Sequence, residues 1–195
     1  MFESHHLSRH FEKRRRQSAK KSREKRGSSA AANRRRSAAI KRLPKLSLAV
    51  HAASHLILAA RATTGGGPDY EHFPPLLTQA AARARLATAL ADAGFDSESN
   101  HRLARLELGV RTLIPATSGR PSVKPLSGHY RRLMQRQFTQ EPHRKLYGQR
   151  WQAETVNSMI KRNLGCACRA RKAWGRKKDM LLRVLTHNLM IVANL

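Results

Sequence analysis

Residues 86–115 confine the fold more than any other stretch. Leu86–Ala91 (LATALA) is a short apolar run of buried-strand length, and it ends at Asp92, ahead of Ala93-Gly94-Phe95. Ser97–Leu108 follows with helical spacing, with Ser97 in the capping position and Gly109 as the stop. Val110–Pro115 (VRTLIP) is a second strand. Strand, helix and strand with short links form a βαβ unit, so the crossover is right-handed and the strands are parallel. The chain is therefore of the α/β class. A carboxylate at the carboxyl end of a strand, followed closely by Gly, lies where open α/β sheets build their sites.

The flanking segments fit around this unit. Lys45–Val50 (KLSLAV) alternates polar and apolar, Leu56–Ala60 (LILAA) is a second apolar run, and Ala52–His55 between them is turn-like. This pattern predicts a β-hairpin. Gly65-Gly66-Gly67-Pro68 breaks the chain. It is not a phosphate loop, because no Lys-Ser/Thr follows. Asp69 then stands as the N-cap of a helix running through Leu76, Leu77 and Ala80 to Arg85, with Pro74 and Pro75 in its first turn. Ser118–Ser127 is a loop, His129–Phe138 a helix, and Arg144–Leu164 one long helix closed by Gly165. The apolar tail Asp179–Leu195 reads as a buried packing helix; Arg183, His187 and Asn188 interrupt it, and it is too short to span a bilayer.

Charge narrows the function. The net charge of +27 is divided into three: net +13 over residues 1–45, zero over 46–119 and +14 over 120–195. Such a balance suits a polyanion, nucleic acid first. The aromatic content of 5% argues against recognition by base stacking. Cys166 and Cys168 are too few for a disulfide framework or a zinc site and are read as structural. Residues 1–44, with runs Arg14-Arg15-Arg16 and Arg34-Arg35-Arg36, read as a basic, largely disordered arm that neutralises phosphate. His5, His6 and His10 within it are read as free side chains. The remaining domain is 45–195.

One helix carries the chemistry. Tyr147, Arg150, Glu154 and Lys161 follow one another at +3, +4 and +7, which keeps them on one face of an α-helix. Ala153, Val156, Ile160 and Leu164 form a different, apolar face. On spacing alone, a solvated face with an i,i+4 Arg–Glu pair explains the stripe equally well. Trp151, beside it, reads as core or rim packing.

These residues match a known pattern. Tyr147-x2-Arg150-x3-Glu154-x6-Lys161, in the wording YGQRWQAETVNSMIKRNLG, resembles the signature of insertion-sequence transposases with a DDE catalytic domain. The segments ADAGFDSESNHRLARLELGVRTLIPA, RVLTHNLMI and FESHHLSRHFEKRR are similar to theirs as well. The resemblance implies a ribonuclease H-like mixed sheet flanked by helices. It implies three acidic residues holding two Mg²⁺ (or Mn²⁺) ions for in-line attack on phosphorus. By position, Asp92 is the second of these and Glu154 the third. Tyr147, Arg150 and Lys161 would hold DNA phosphate near the scissile bond, and Arg169, Arg171 and Lys172 would add phosphate contacts. Asp96 is set aside as a helix-start residue and Asp69 as a cap. The implied partners are transposon ends and target DNA. The intact enzyme would be a homodimer in the bacterial cytoplasm, associated with the nucleoid and with no membrane.

In the resemblance, the first acidic residue precedes a stretch like FESHHLSRHFEKRR, which here begins at Phe2. The expectation is a chain lacking the first Asp and the first, central strand. Two half-sheets with unpaired edges, poor stability and no strand transfer would follow. The rival reading is a non-catalytic, basic nucleic-acid-binding protein. Composition favours that rival; Asp92, Glu154 and the Tyr-Arg-Glu-Lys stripe favour the transposase.

Overall fold

In a computed structural model of the chain, the described residues are 44–64, 67–116 and 126–194, and they fall in one compact unit, Pro44–Leu195. The basic arm, the glycines at 65 and 66 and most of the loop at 118–127 lie outside them.

The hairpin forms as its alternation predicts. Strand β1 (Pro44–Val50) pairs antiparallel with β2 (Ile57–Thr64). The register shifts between Ala49 and Val50, so that Ala49 faces Ala59 while Val50 faces Ile57. Leu58 is the extra residue of a bulge. Leu58 and Ala59 therefore pack with Ala49 on one face, while Leu48, Val50, Ile57 and Ala60 pack on the other. Both faces of the hairpin are covered, and its strands are correspondingly apolar.

A 3-10 turn (Asp69–His72) leads into helix α1 (Phe73–Ala81), whose first positions hold Pro74 and Pro75. The N-cap of the turn is Pro68 and no side chain caps it, so Asp69 is not the cap that its position suggests. Its carboxylate pairs instead with Lys45 Nζ at the start of β1. Buried His72 hydrogen-bonds Ser47 across a 2.8 Å contact. Burial, then the charges of Lys45 and Arg61, lower the His72 pKa, which keeps the ring neutral in this contact.

The βαβ unit is present and parallel. Strand β3 (Thr88–Leu90) pairs with β4 (Arg111–Leu113), Thr88 opposite Arg111 and Leu90 opposite Leu113. Between them, helix α2 (Glu98–Arg102) widens into a π-helical turn over Leu103–Glu107 and stops at Gly109, whose φ is +65°. A left-handed residue there is why the stop is glycine. Arg105 donates to the Thr112 carbonyl, and His101 and Arg105 share the Thr112 hydroxyl. Among the described residues the two pairs of strands make separate sheets, β1-β2 and β3-β4.

Helix α1 joins them. Phe73 and Leu77 pack with Ala104, Val110 and Ile114 of the βαβ unit, while Leu76 and Ala80 pack with Ala59 of the hairpin. The chain continues through α3 (His129–Gln137), α4 (Glu141–Gly148), α5 (Trp151–Leu164) and α6 (Ala173–Val192). Val156 and Ile160 of α5 and Val184 of α6 cover the other face of the hairpin around Ile57. No helix among the described residues is long and apolar enough to cross a membrane.

The apolar tail is a helix, but only half of it is buried. Met180 and His187 face inward, whereas Leu182, Leu185 and Leu189 are exposed. Asn188 ties the inward face to the sheet edge. Its side-chain oxygen accepts from the Ile57 N–H at 2.9 Å, and its amide donates to the Ile57 carbonyl at 2.9 Å. The amide thus substitutes for a neighbouring strand at one residue of β2. Asn188→Ala leaves both backbone groups without that partner and should cost about 1–3 kcal/mol, read as a lower urea midpoint with an unchanged m-value. An unaltered midpoint would show that water replaces Asn188 at no cost.

Candidate active site

Asp92 follows β3 directly. It is exposed and occupies the N-cap of a 3-10 turn (Ala93–Phe95), where Oδ1 accepts from the Gly94 N–H at 2.9 Å. A Cβ at position 94 would lie 3.0 Å from Asp92 Oδ1 and 3.1 Å from Asp69 Oδ2. Two carboxylates thus flank one glycine, and Lys45 balances the second of them. The nearness of Asp69 to Asp92 is not readable from the sequence, because it depends on the fold of the Gly-Pro break.

The expected single helix over Arg144–Leu164 is two helices. The link between α4 and α5 is bonded in i,i+3 fashion: Gln149 N–H to Leu146 O at 3.0 Å, Arg150 N–H to Tyr147 O at 2.9 Å and Gln152 N–H to Gln149 O at 3.1 Å. Gly148, the weakest helix former in the stretch, closes α4 and marks the break. Tyr147 therefore sits at the end of α4, Arg150 at the N-cap of α5 and Glu154 in its first turn. The helix dipole favours a carboxylate there.

These groups remain together across the break. Arg150 Nη2 lies 2.7 Å from Glu154 Oε1, and the guanidinium stands over the Tyr147 ring at 5.9 Å from its centroid. Tyr147 is held edge-on by Phe138, with centroids 4.9 Å apart. Burial raises the Tyr147 pKa, Arg150 pulls it down, and the charges of Asp92 and Glu154 push it up; the net result is upward. At Arg150, burial acts to lower the pKa, but the Glu154 hydrogen bond and the charges of Tyr147, Glu154 and Asp92 outweigh it, so the guanidinium is held more firmly charged. Asp92, at the end of a strand, and Glu154, on a helix, thus act on the same guanidinium and the same phenol. These two carboxylates are 62 residues apart in the sequence.

The other residues of the expected site are less closely placed. Lys161 is exposed on α5, two turns beyond Glu154. Arg169, Arg171 and Lys172 are exposed in the loop between α5 and α6. Arg183 braces that loop, donating to Gly165 O at 2.6 Å and Ala167 O at 2.7 Å, and it pairs with Asp179 at 3.0 Å. Arg176 is spent on the Ala170 carbonyl at 2.9 Å. Trp151 is 54% exposed, which makes it rim and not core. Both cysteines are free, and burial pushes the Cys168 thiol pKa up.

Asp96 has a different role from a helix start. Its carboxylate is fully buried and pairs with Arg131 at 2.8 Å, with His101 Nε2 at 3.6 Å. Glu98 beside it caps α3, accepting from the Tyr130 and Arg131 N–H groups at 3.1 and 3.2 Å. Gly128 makes room for it: a Cβ there would meet Glu98 Oε2 at 2.3 Å. An open cavity of about 510 Å³ lies between Tyr70, Glu98 and Arg131, but the carboxylates around it are committed to these structural bonds. Among the described residues no group of three or more His, Cys, Asp or Glu side chains is placed to hold a metal ion.

A family model described as the transposase DDE domain matches residues 4–189. Comparisons with curated proteins and with solved structures give no match.

The Glu98 cap carries a pH signature. Burial raises its pKa, but backbone N–H groups from Tyr130, Arg131 and His129 outweigh that and hold the carboxyl below its ordinary value. A depressed carboxyl stabilises the fold above its unfolded pKa, near 4.3, and that contribution disappears as pH falls through the folded value. Glu98→Gln should therefore be less stable than the parent by about 1–2 kcal/mol at pH 7, with the difference closing below about pH 4. Chemical denaturation at pH 7 and pH 3 measures both, and a pH-independent difference would contradict the cap.

Proposed function

The chain belongs to the transposase DDE domain family, and from that membership we propose that it acts in DNA transposition through phosphoryl transfer on a ribonuclease H-like fold. The observation that supports this reading is Glu154 paired at 2.7 Å with Arg150 over the Tyr147 ring, together with an exposed Asp92 directly after a strand. Both carboxylates reach solvent; Asp92 uses Oδ1 on the Gly94 N–H and Glu154 uses Oε1 on Arg150. Hard oxygen donors of this kind suit Mg²⁺ or Mn²⁺, so Asp92 and Glu154 would hold the two divalent ions. When bound, those ions supply charge neutralisation at the scissile phosphate and activation of the attacking hydroxyl.

The chain's own residues supply the rest. Arg150, kept fully charged, offers a fork for phosphate oxygens once Glu154 turns to a cation. Tyr147, with its raised pKa, keeps its proton and donates a hydrogen bond. Lys161, Arg169, Arg171 and Lys172 are exposed cations that hold the DNA backbone on either side. The partners would be transposon ends and target DNA, in the cytoplasm and along the nucleoid.

We propose further that the chain alone does not carry out strand transfer. The chemistry takes three carboxylates, and Asp69, which stands next to Asp92, is engaged by Lys45.

Asp92→Asn keeps an oxygen for the Gly94 N–H, and Glu154→Gln keeps one for Arg150, so both variants should fold. Each should weaken Mn²⁺ binding, followed by its electron paramagnetic resonance signal, at least tenfold. Replacing Arg169 and Lys172 together by Ala should reduce the slope of log affinity for duplex DNA against log salt by about 2. Mn²⁺ binding untouched by either carboxylate change would sink the assignment. Strand-transfer products from the purified chain with Mn²⁺ would refute its inactivity.

A further inference from the structure

Trp174 is the second residue of α6, and it is 59% exposed. Nothing local calls for it there. Indole is neither a strong helix former nor a capping group, and an exposed ring leaves its apolar area in water. The Lys178 ammonium, one turn on, stands over one face at 4.9 Å from the ring centroid. With that face taken, so large an exposure leaves the other face and the edge open to solvent.

The surroundings are cationic and held in place. From Gly165 to Lys178 the chain has no Asp or Glu, and Arg171, Lys172, Lys177 and Lys178 around the ring are exposed. Arg183 takes the Gly165 and Ala167 carbonyls and Arg176 takes that of Ala170, so three carbonyls of the loop are turned onto two guanidiniums. Gly175 sits tight against the loop, since a Cβ there would lie 3.1 Å from the Ala170 Cβ. The loop and the first turn of α6 thus form one braced unit. Arg171 and Lys172 precede the ring by three and two residues. Lys177 and Lys178 follow it by three and four, on the same side of the helix.

An aromatic face between cations fits a nucleobase between its two phosphates. The base must be unpaired, because inside a duplex both faces of each base are already stacked. Such a base outcompetes Lys178: stacking on an indole is stronger than an exposed cation–π contact, and the displaced ammonium gains a phosphate. The aromatic content of 5% argues against a row of stacked bases, but a single ring serves a single base. We propose that Trp174 is a stacking platform for one unpaired base of single-stranded DNA, with Arg171, Lys172 and Lys177 on the adjoining phosphates. The platform takes DNA as the partner from the phosphoryl-transfer reading but needs neither Asp92 nor Glu154.

Fluorescence of the full chain carrying Trp151→Phe, in which Trp174 is the remaining tryptophan, tests it. A single-stranded oligodeoxynucleotide should quench the emission, and the same strand in a blunt duplex should not. Affinities are read separately from the anisotropy of labelled DNA. Trp174→Ala should weaken single-strand binding about tenfold or more and duplex binding by less than about twofold, and it should leave the salt slope of both unchanged, because no cation is lost. Trp174→Phe should recover most of the loss. On a strand of the same length whose bases are replaced by abasic sites, Trp174→Ala should change nothing, since there is no base to stack. Circular dichroism should stay unchanged throughout, because Trp151 and Trp174 are both exposed. Equal quenching by duplex and single strand, an equal loss of affinity on both, or a loss that persists on the abasic strand would overturn the stacking site while leaving DNA as the partner. A chain that binds neither form would remove DNA itself, and the phosphoryl-transfer reading with it.

Discussion

Both sheets lean on α1, a helix of nine residues. Phe73, Leu76, Leu77 and Ala80 recur at the spacing that would give an ordinary surface helix one apolar face. Here the stripe is divided down its middle. Phe73 and Leu77 go to the βαβ unit, Leu76 and Ala80 to the hairpin, and Leu86 touches both clusters. Because the two sheets share no ladder among the described residues, side-chain packing on α1 is a main connection between them. The ends of the helix are set by its neighbours: Pro74 and Pro75 start it, and the turn before it carries Asp69 to Lys45. The position of Asp92 relative to the hairpin thus depends on α1 and on the Lys45–Asp69 pair together.

Glu154 reaches the same site by an independent route. Val156 and Ile160, two and six residues on, are buried against the hairpin around Ile57. That packing fixes the rotation of α5 and turns Glu154 away from the core. The hairpin is therefore sandwiched, with α1 on one face and α5 and α6 on the other. Asp92 is referenced to one side of it and Glu154 to the other. Two carboxylates 62 residues apart thus both depend for their positions on packing against one hairpin.

The elements that were legible in the sequence are those whose signals are local. The βαβ unit announces itself by apolar runs of strand length, a helical stretch between them and a left-handed glycine at 109. The hairpin shows in its alternation. What was not legible depends on partners far along the chain. Asp69 looks like a cap until Lys45, 24 residues earlier, takes its carboxylate. Asp96 looks like a helix start until Arg131, 35 residues later, pairs with it in the interior. The break between α4 and α5 escapes for a different reason. Steps of 3 and 4 survive a short 3-10 link, so the spacing of Tyr147, Arg150 and Glu154 is the same for one helix or two. Apolar density in α6 likewise reveals two faces that avoid water, but not what covers the second.

Arg150 and Glu154 stand just after the break. In a continuous helix, Arg150 and Glu154 would be one of many i,i+4 pairs on a solvated face. At the N-cap of α5, Arg150 keeps helical backbone angles, and its guanidinium both pairs with Glu154 and leans on the Tyr147 ring. Both members of the pair are partly exposed, and an exposed pair of this kind is worth only about 0.2–1 kcal/mol. A bond that weak holds the Glu154 carboxylate beside Arg150 without locking it. Lysine at that position would keep the charge but lose the planar guanidinium that lies over the Tyr147 ring while it bonds Glu154.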